Sequence, residues 1–304
     1  TSIGNDLVVP VLAEVSERYA LPSFQSHADS LKATNKRLMK AAFLEYGIPS
    51  APLIPSERWH GEARLGLPYP LIGKQLVGYG ARGVRRLNHA ADLDAYLGEF
   101  AAQGEVLVEA YIADGAELSV DCFAVDGKAT VLLVSRLHQV PGLQQGFAVL
   151  MTEFPYPLAA EVGAQLDAIA QRMVAAFGLR NGPFFFQAKL KDDAVAVIEM
   201  GARIAGGRKF SVVRSATSFD PLEAQLDVLE GRKPMVRLRD SGLFYATAML
   251  FARAGTLASI SPPSTGNVHD FFRVKGPGFV SRGTGAGDDR IAAVTVSGAK
   301  RADT

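Results

Sequence analysis

Two groups of residues in this 304-residue chain have the types and spacing to do chemistry. The first is Lys74, near the end of the apolar run Pro70 to Val77, followed directly by Gly78-Tyr-Gly-Ala-Arg-Gly83. Backbone N–H groups of a glycine-rich loop can close over phosphates, and Lys74 and Arg82 would add positive charge. A lone G-x-G-x-x-G pattern is a weak signal, so its context decides. A dinucleotide fingerprint opens a helix directly after the loop; here Val84-Arg-Arg-Leu87 reads as a strand, and a helix starts only near Asn88. A protein-kinase loop places its phosphate-pairing lysine downstream, whereas Lys74 lies upstream. The residues predict a hairpin tip behind a lysine-bearing strand, either a phosphate cover or an ordinary glycine-rich turn.

The second group centres on Glu199, at the end of the apolar strand Ala194 to Met200. A carboxylate among apolar neighbours must be paired or must bind metal. A turn centred on Asp193 sets Gln187 directly opposite Glu199, with Cβ atoms about 5 Å apart. Two side-chain oxygens then face one cation, and Mg²⁺ takes oxygen ligands while sharing its other sites with water and phosphate. Arg203 follows four residues later, then Gly206-Gly207-Arg208-Lys209. The competing reading is a structural Glu199–Arg203 ion pair.

These residues need elements to hold them. Residues 6 to 20 read as a helix ended by Leu21-Pro22, and a second helix runs from an N-cap at Thr34 to Tyr46. Residues 48 to 68 read as a linker holding one strand. Leu93, Tyr96, Leu97 and Phe100 mark a helix after Asn88, and Val106 to Ile112 a strand. Asp126-Gly127 signals a hairpin between 118–125 and 129–134. Val162, Leu166, Ile169, Met173 and Phe177 mark the longest amphipathic helix. A hairpin over 184–200, a helix over 210–230 and a tail of short strands complete the pattern.

Composition narrows the class of function. Lys and Arg total 32 against 31 Asp and Glu, a formal charge of +1, which argues against a nucleic-acid binder held by bulk charge. The apolar runs are far shorter than the roughly 20 residues a membrane span needs. The single Cys122 rules out an internal disulfide framework and fits a reducing, cytoplasmic setting. His27, His60, His89 and His269 are too scattered for a metal site, and no Ser-His-Asp or Cys-His set stands out.

In their order, these features resemble the ATP-grasp superfamily of carboxylate–amine ligases, the L-amino-acid ligases in particular. The likeness runs from about residue 6 to residue 231. It rests on Asn35-Lys36 to Lys40 with Gly-Ile-Pro49, on Lys74 with Gly78 to Val84, on Val106 to Ile112 with Gly115-Ala-Glu117, and on Gln187, Glu199 and Arg203. The resemblance implies an α/β (α+β) fold of two subdomains gripping ATP, with the leading domain of the family largely absent before Thr1. The implied divisions are 1–47 (last helix of that domain and a linker helix), 48–110 (lid), 111–234 (catalytic subdomain) and 235–304 (C-terminal subdomain).

It further implies that Lys36, Lys74, Gly78, Gly80 and Gly83 meet the ATP phosphates. Glu109, Ala110, Tyr111 and Ile112 would meet adenine, and Glu117 the ribose. Gln187 and Glu199 would hold Mg²⁺ or Mn²⁺, and Arg203 would stabilise an acyl phosphate. His138, Arg136 and Arg208 are the candidates for contact with small carboxylate and amine substrates. A homodimer is expected, without nucleic-acid or membrane partners. Two departures stand out: glutamine at 187 where many members carry an acid, and Gly201 where most carry a metal-binding asparagine. A bicarbonate-activating subunit and a non-catalytic ATP-binding module are the alternatives.

Overall fold

The computed structural model describes residues 4–78, 83–100, 102, 104–112, 114–139, 148–264, 266–283 and 289–301. Gly80 and Arg82 of the glycine loop lie outside the described residues.

Three helices come first: α1 (Val8–Arg18), α2 (His27–Thr34) and α3 (Lys36–Glu45). The sequence reading has no α2, although Ser26 caps it by accepting from the Asp29 N–H at 3.0 Å. The cap of α3 is Asn35 rather than Thr34, its Oδ1 accepting from the N–H groups of Arg37 and Leu38. Thr34 instead closes α2, its hydroxyl donating to the Ser30 carbonyl at 2.9 Å.

A small antiparallel sheet follows, with β1 (Leu71–Gln75), β2 (Arg85–Leu87) and β3 (Val106–Ala110) in the order β2-β1-β3. Helix α4 (Ala90–Phe100) covers it, burying Leu93 and Tyr96 against Leu71, Leu87, Val106 and Val108. The strand–loop–strand reading of the glycine-rich segment therefore holds, since β1 and β2 pair antiparallel across it. Gly73 is required here: a Cβ would stand 2.6 Å from the Tyr96 ring. That ring's hydroxyl donates to the Gly83 carbonyl at 2.9 Å and ties down the far end of the loop.

The remaining chain builds one eight-stranded antiparallel sheet. Its strands come from β4 (Ala116–Val125), β5 (Lys128–Gln139), β6 (Val149–Phe154), β7 (Gly182–Lys191), β8 (Ala194–Gly201), β9 (Phe244–Phe251), β11 (Val268–Arg273) and β13 (Arg290–Gly298). The order is β11-β13-β9-β6-β5-β4-β7-β8, while β10 (Gly255–Thr256) and β12 (Val280–Ser281) pair separately. Strands β9, β11 and β13, from the expected C-terminal subdomain, thus extend the sheet begun by β4 to β8. The expected helix over 210–230 is two, α6 (Lys209–Thr217) and α7 (Pro221–Leu229). Ser218, in the left-handed region at φ 60°, ends the first; Asp220 caps the second, with Pro221 at its start.

Alternation gives this sheet two characters. On one face Leu118, Val120, Phe184, Phe186, Ala188 and Val197 pack under α5 (Ala160–Ala176), meeting Val162, Leu166, Ile169 and Met173. Cys122 is a buried member of the same core, the small filler its strand position suggested. The other face carries Glu117, Ser119, Gln187, Lys189 and Glu199. The linker contains no strand of its own. It straps the sheets together by single bridges: Val197 N–H donates to the Pro49 carbonyl, and Ile54 N–H to that of Val108.

Candidate active site

The register of the β7–β8 hairpin places Gln187 opposite Glu199. Lys191 pairs with Ala194, so the turn lies between Asp192 and Asp193, both at positive φ. A regular ladder from there would set Ile198 against Gln187. A bulge between Gln187 and Ala188 inserts Ile198 as an extra residue and turns Glu199 to the polar face. Carboxylate and carboxamide oxygens then stand side by side. Among the described residues no cluster of three or more His, Cys, Asp or Glu could cage a metal. This donor set fits Mg²⁺, an ion that completes its shell with phosphate and water oxygens.

The positive charges come from α3 and β1. Lys36 opens α3, donates to the Gly78 carbonyl at 3.2 Å, and feels Glu199, Lys74, Asp6 and Glu109. Burial pushes its ammonium below the ordinary lysine value, and Glu199 pulls partly the other way. One turn on, Lys40 is buried and lies 2.7 Å from Glu109 Oε2. Lys74 pairs with the other Glu109 oxygen, reaching diagonally from β1 to β3. Burial would raise the Glu109 pKa, but Lys74 and Lys40 together hold it below the usual carboxylate range. Glu109 is therefore a shared counter-ion of two buried lysines, a role the sequence reading had not given it.

From Glu109 the chain crosses between the sheets. Ala110, Tyr111 and Ile112 lead out of β3, and Glu117 lies near the start of β4. Tyr111 stacks with the Arg86 guanidinium, 4.6 Å from its ring centre. Gly115, at φ 83°, allows the close approach, since a Cβ would run into the Leu190 carbonyl. Glu117 accepts from Gln139 Nε2 at 2.8 Å and lies 3.4 Å from Lys189, its neighbour across the β4–β7 ladder. Burial pushes the Glu117 pKa up against the pull of Lys189. Lys189 escaped the sequence reading, although its place two residues after Gln187 on the same strand face was legible.

Arg203 is buried and does not pair with Glu199. Its Nε donates to Asp6 Oδ1 at 2.6 Å and its Nη2 to Asp6 Oδ2 at 2.5 Å, while the guanidinium lies 4.9 Å from the Phe185 ring centre. Phe184 and Phe186 are core, and Phe185 forms this wall.

The structure does not bring His138 and Arg136 to the polar face. They alternate with Ser135 and Leu137 along β5 and so lie on the other side, where His138 Nε2 sits 2.8 Å from Glu153 Oε2. Arg208 donates to Asp270 Oδ2 at 2.8 Å and packs on the Phe272 ring, tied to β11. Lys209, beside it, is buried 3.6 Å from Asp121; burial pushes the lysine down and the aspartate up.

Residues 67–211 match the family profile of the ATP-grasp domain. A D-alanine–D-alanine ligase of Desulfovibrio desulfuricans is 26 % identical over 226 residues, covering 71 % of this chain and 69 % of that protein. The crystal structure of an L-amino acid ligase from Bacillus licheniformis superposes with a TM-score of 0.80 at 20 % identity, covering 98 % of this chain and 75 % of that one. The biotin carboxylase domain dimer of Hydrogenobacter thermophilus 2-oxoglutarate carboxylase, in complex with MgADP, ADP and bicarbonate, gives 0.75 at 16 % identity, covering 96 % and 69 %. Among the described residues no helix is long and apolar enough to cross a membrane.

Proposed function

We propose that this chain, whose residues 67–211 match the ATP-grasp domain, is an ATP-dependent carboxylate–amine ligase. In this reading it forms an amide or peptide bond between amino acids through an acyl phosphate. The observation that carries the reading is the convergence of Lys36, Lys74, Glu117 and Lys189 with the Gln187–Glu199 pair on one polar face between two sheets.

Lys36 and Lys74, with the loop from Gly78 to Gly83, would neutralise the triphosphate. The backbone from Ala110 to Ile112 would meet the adenine, and Glu117 the ribose hydroxyls; the Glu109 carboxylate, expected at the adenine, is instead taken up by Lys40 and Lys74. Gln187 and Glu199 would hold Mg²⁺ or Mn²⁺, which offsets charge on the phosphate oxygens when bound. A substrate carboxylate oxygen attacks the γ-phosphorus, and the bond to the β–γ bridging oxygen breaks with its electrons leaving on ADP. The amine nitrogen then adds to the acyl carbon, phosphate departs, and the nitrogen gives up a proton. Arg203 would stabilise the oxyanion of that tetrahedral centre.

ADP release measured over paired amino acids tests the reading, with amine- and carboxylate-dependent release expected. Release that depends on bicarbonate instead would favour the second reading, which the biotin carboxylase likeness motivates. Tight ATP binding without turnover across the panel would leave a binding module. Lys74→Ala is expected to weaken ATP binding by about tenfold or more, the loss of one charge-assisted phosphate contact. Unchanged affinity would overturn the loop assignment.

Binding also depends on pH with a definite sign. Phosphate favours charged Lys36, so its pKa is higher in the complex than in the free chain, where burial depresses it. ATP affinity should hold below that depressed value and fall above it, by up to about tenfold per pH unit. Titrations of ATP against wild type and Lys36→Arg, whose side chain stays charged, check this: the alkaline fall should fade in the variant.

A further inference from the structure

Arg203 and Asp6 lie 197 positions apart, yet their side chains meet edge to edge through two hydrogen bonds. Three features fix the guanidinium. Its Nε and Nη2 edge is on the Asp6 carboxylate, its Nη1 donates to the Ile204 carbonyl at 3.0 Å, and its flat face lies over Phe185. A guanidinium has five N–H groups. The three bonds leave one further N–H on Nη1 and one on Nη2. A guanidinium held in this way keeps donors for a phosphate or acyl oxygen.

Gly201 explains why this arrangement is possible. A Cβ there would run into the Phe185 ring and stand 3.3 Å from Asp6 Oδ1. Gly201 is also where the family resemblance leads one to expect an asparagine. The missing side chain makes room for Phe185 beneath Arg203 and for Asp6 beside it. The entry of Asp6 is fixed separately, since the Gly4 N–H donates to the Ile204 carbonyl at 3.3 Å.

We propose that Asp6 is a positioning residue that sets the orientation of Arg203 toward the transferred phosphoryl group, with Gly201 as the gap that lets it reach. This rests on the reading of Arg203 as the phosphate-facing group. Asp6 touches no reacting atom; it acts by holding the guanidinium. Losing that hold lets the guanidinium rotate about its terminal bonds, and misplacement of about 1 Å can cost on the order of 100-fold.

The test uses the full chain loaded with MgADP and titrated with inorganic phosphate. Asp6→Asn should weaken phosphate binding by about 10- to 100-fold and leave MgADP affinity unchanged, and Asp6→Glu should recover part of the loss. Arg203→Lys should show a similar loss, and the double variant little more than either alone, because both act through one group. Side-chain NMR should show a slowly exchanging Arg203 Nε–H signal in wild type that Asp6→Asn removes. Unchanged phosphate affinity in Asp6→Asn, or in Arg203→Lys, would overturn the proposal, as would full additivity in the double variant. If no amino-acid pair elicits ADP release from wild type, the ligase reading fails while these binding results still decide this one.

Discussion

Glu199→Ala is expected to cut ADP formation on the order of 10³-fold, the upper end for removing one group that meets developing transition-state charge. The variant should nonetheless fold. Glu199 faces Gln187 across the hairpin on the polar side of the sheet, while its neighbours Val197 and Met200 stay in the core. Two consequences follow from the geometry. Gln187 alone offers a neutral oxygen, too weak to hold a hydrated divalent cation against water. Lys36 also loses the carboxylate that keeps its ammonium charged, so its pKa falls further below the ordinary lysine value. ADP release measured across a Mg²⁺ titration separates the two effects. A loss of affinity alone would be overcome at high Mg²⁺; a loss of both would leave turnover low even at saturation. Near-normal turnover at ordinary Mg²⁺ would remove Glu199 from the site.

How the sequence exposed that pair is instructive. A turn centred on Asp193 lies half a residue beyond the observed one, and the ladder carries a bulge at Ile198; the two offsets cancel. Alternation alone would have chosen Ile198, whose apolar side chain does not suit the polar face. The identity of the residues was therefore a better guide to register than the turn. Lys189 was legible by the same alternation, two residues from Gln187. Asp6 was not, because nothing in a sequence joins positions 6 and 203; only the folded return of the chain onto β8 does. Helix α2 was missed because its eight residues carry little amphipathic pattern, although Ser26 and Asp29 form its cap. The run over 210–230 carries its own break, since Asp220-Pro221 is an N-cap followed by a helix-opening proline, and the left-handed Ser218 ends α6 just before it. The membership of β9, β11 and β13 in the main sheet was hidden, since short strands do not name their partners.

The second large effect lies in the buried charges of Glu109. Its side chain is only 5 % exposed, and those of its partners Lys40 and Lys74 are 5 % and 7 % exposed. Glu109→Gln keeps the shape and leaves two ammonium groups in the interior without a counter-charge. Removing one partner of a buried ionic group costs about 3–5 kcal/mol, and in a chain of this size each kcal/mol shifts Tm by roughly 1.5–2 °C. The expected fall is therefore about 5–10 °C at neutral pH. The sign of its pH dependence is fixed by the shifts. Lys74 and Lys40 hold the Glu109 pKa below the ordinary carboxylate value against burial, so its contribution is complete above that value and is lost as pH drops through the depressed one. The Lys40 pKa is also lowered, but there the shift disfavours the charge: burial depresses it, so the unfolded chain binds more protons between the depressed value and the ordinary lysine value. Stability then rises with pH across that window. In Glu109→Gln Lys40 loses the carboxylate that pulls its pKa up, so the value falls further and the window widens toward neutral pH. The Tm gap between wild type and variant should narrow as pH is raised from 7 toward 10, and adding Lys40→Met should restore part of the lost Tm at pH 7. A gap that stays flat with pH would mean that Glu109 supports the sheet by packing rather than by charge, and the two lysines would then need another counter-ion before any phosphate arrives.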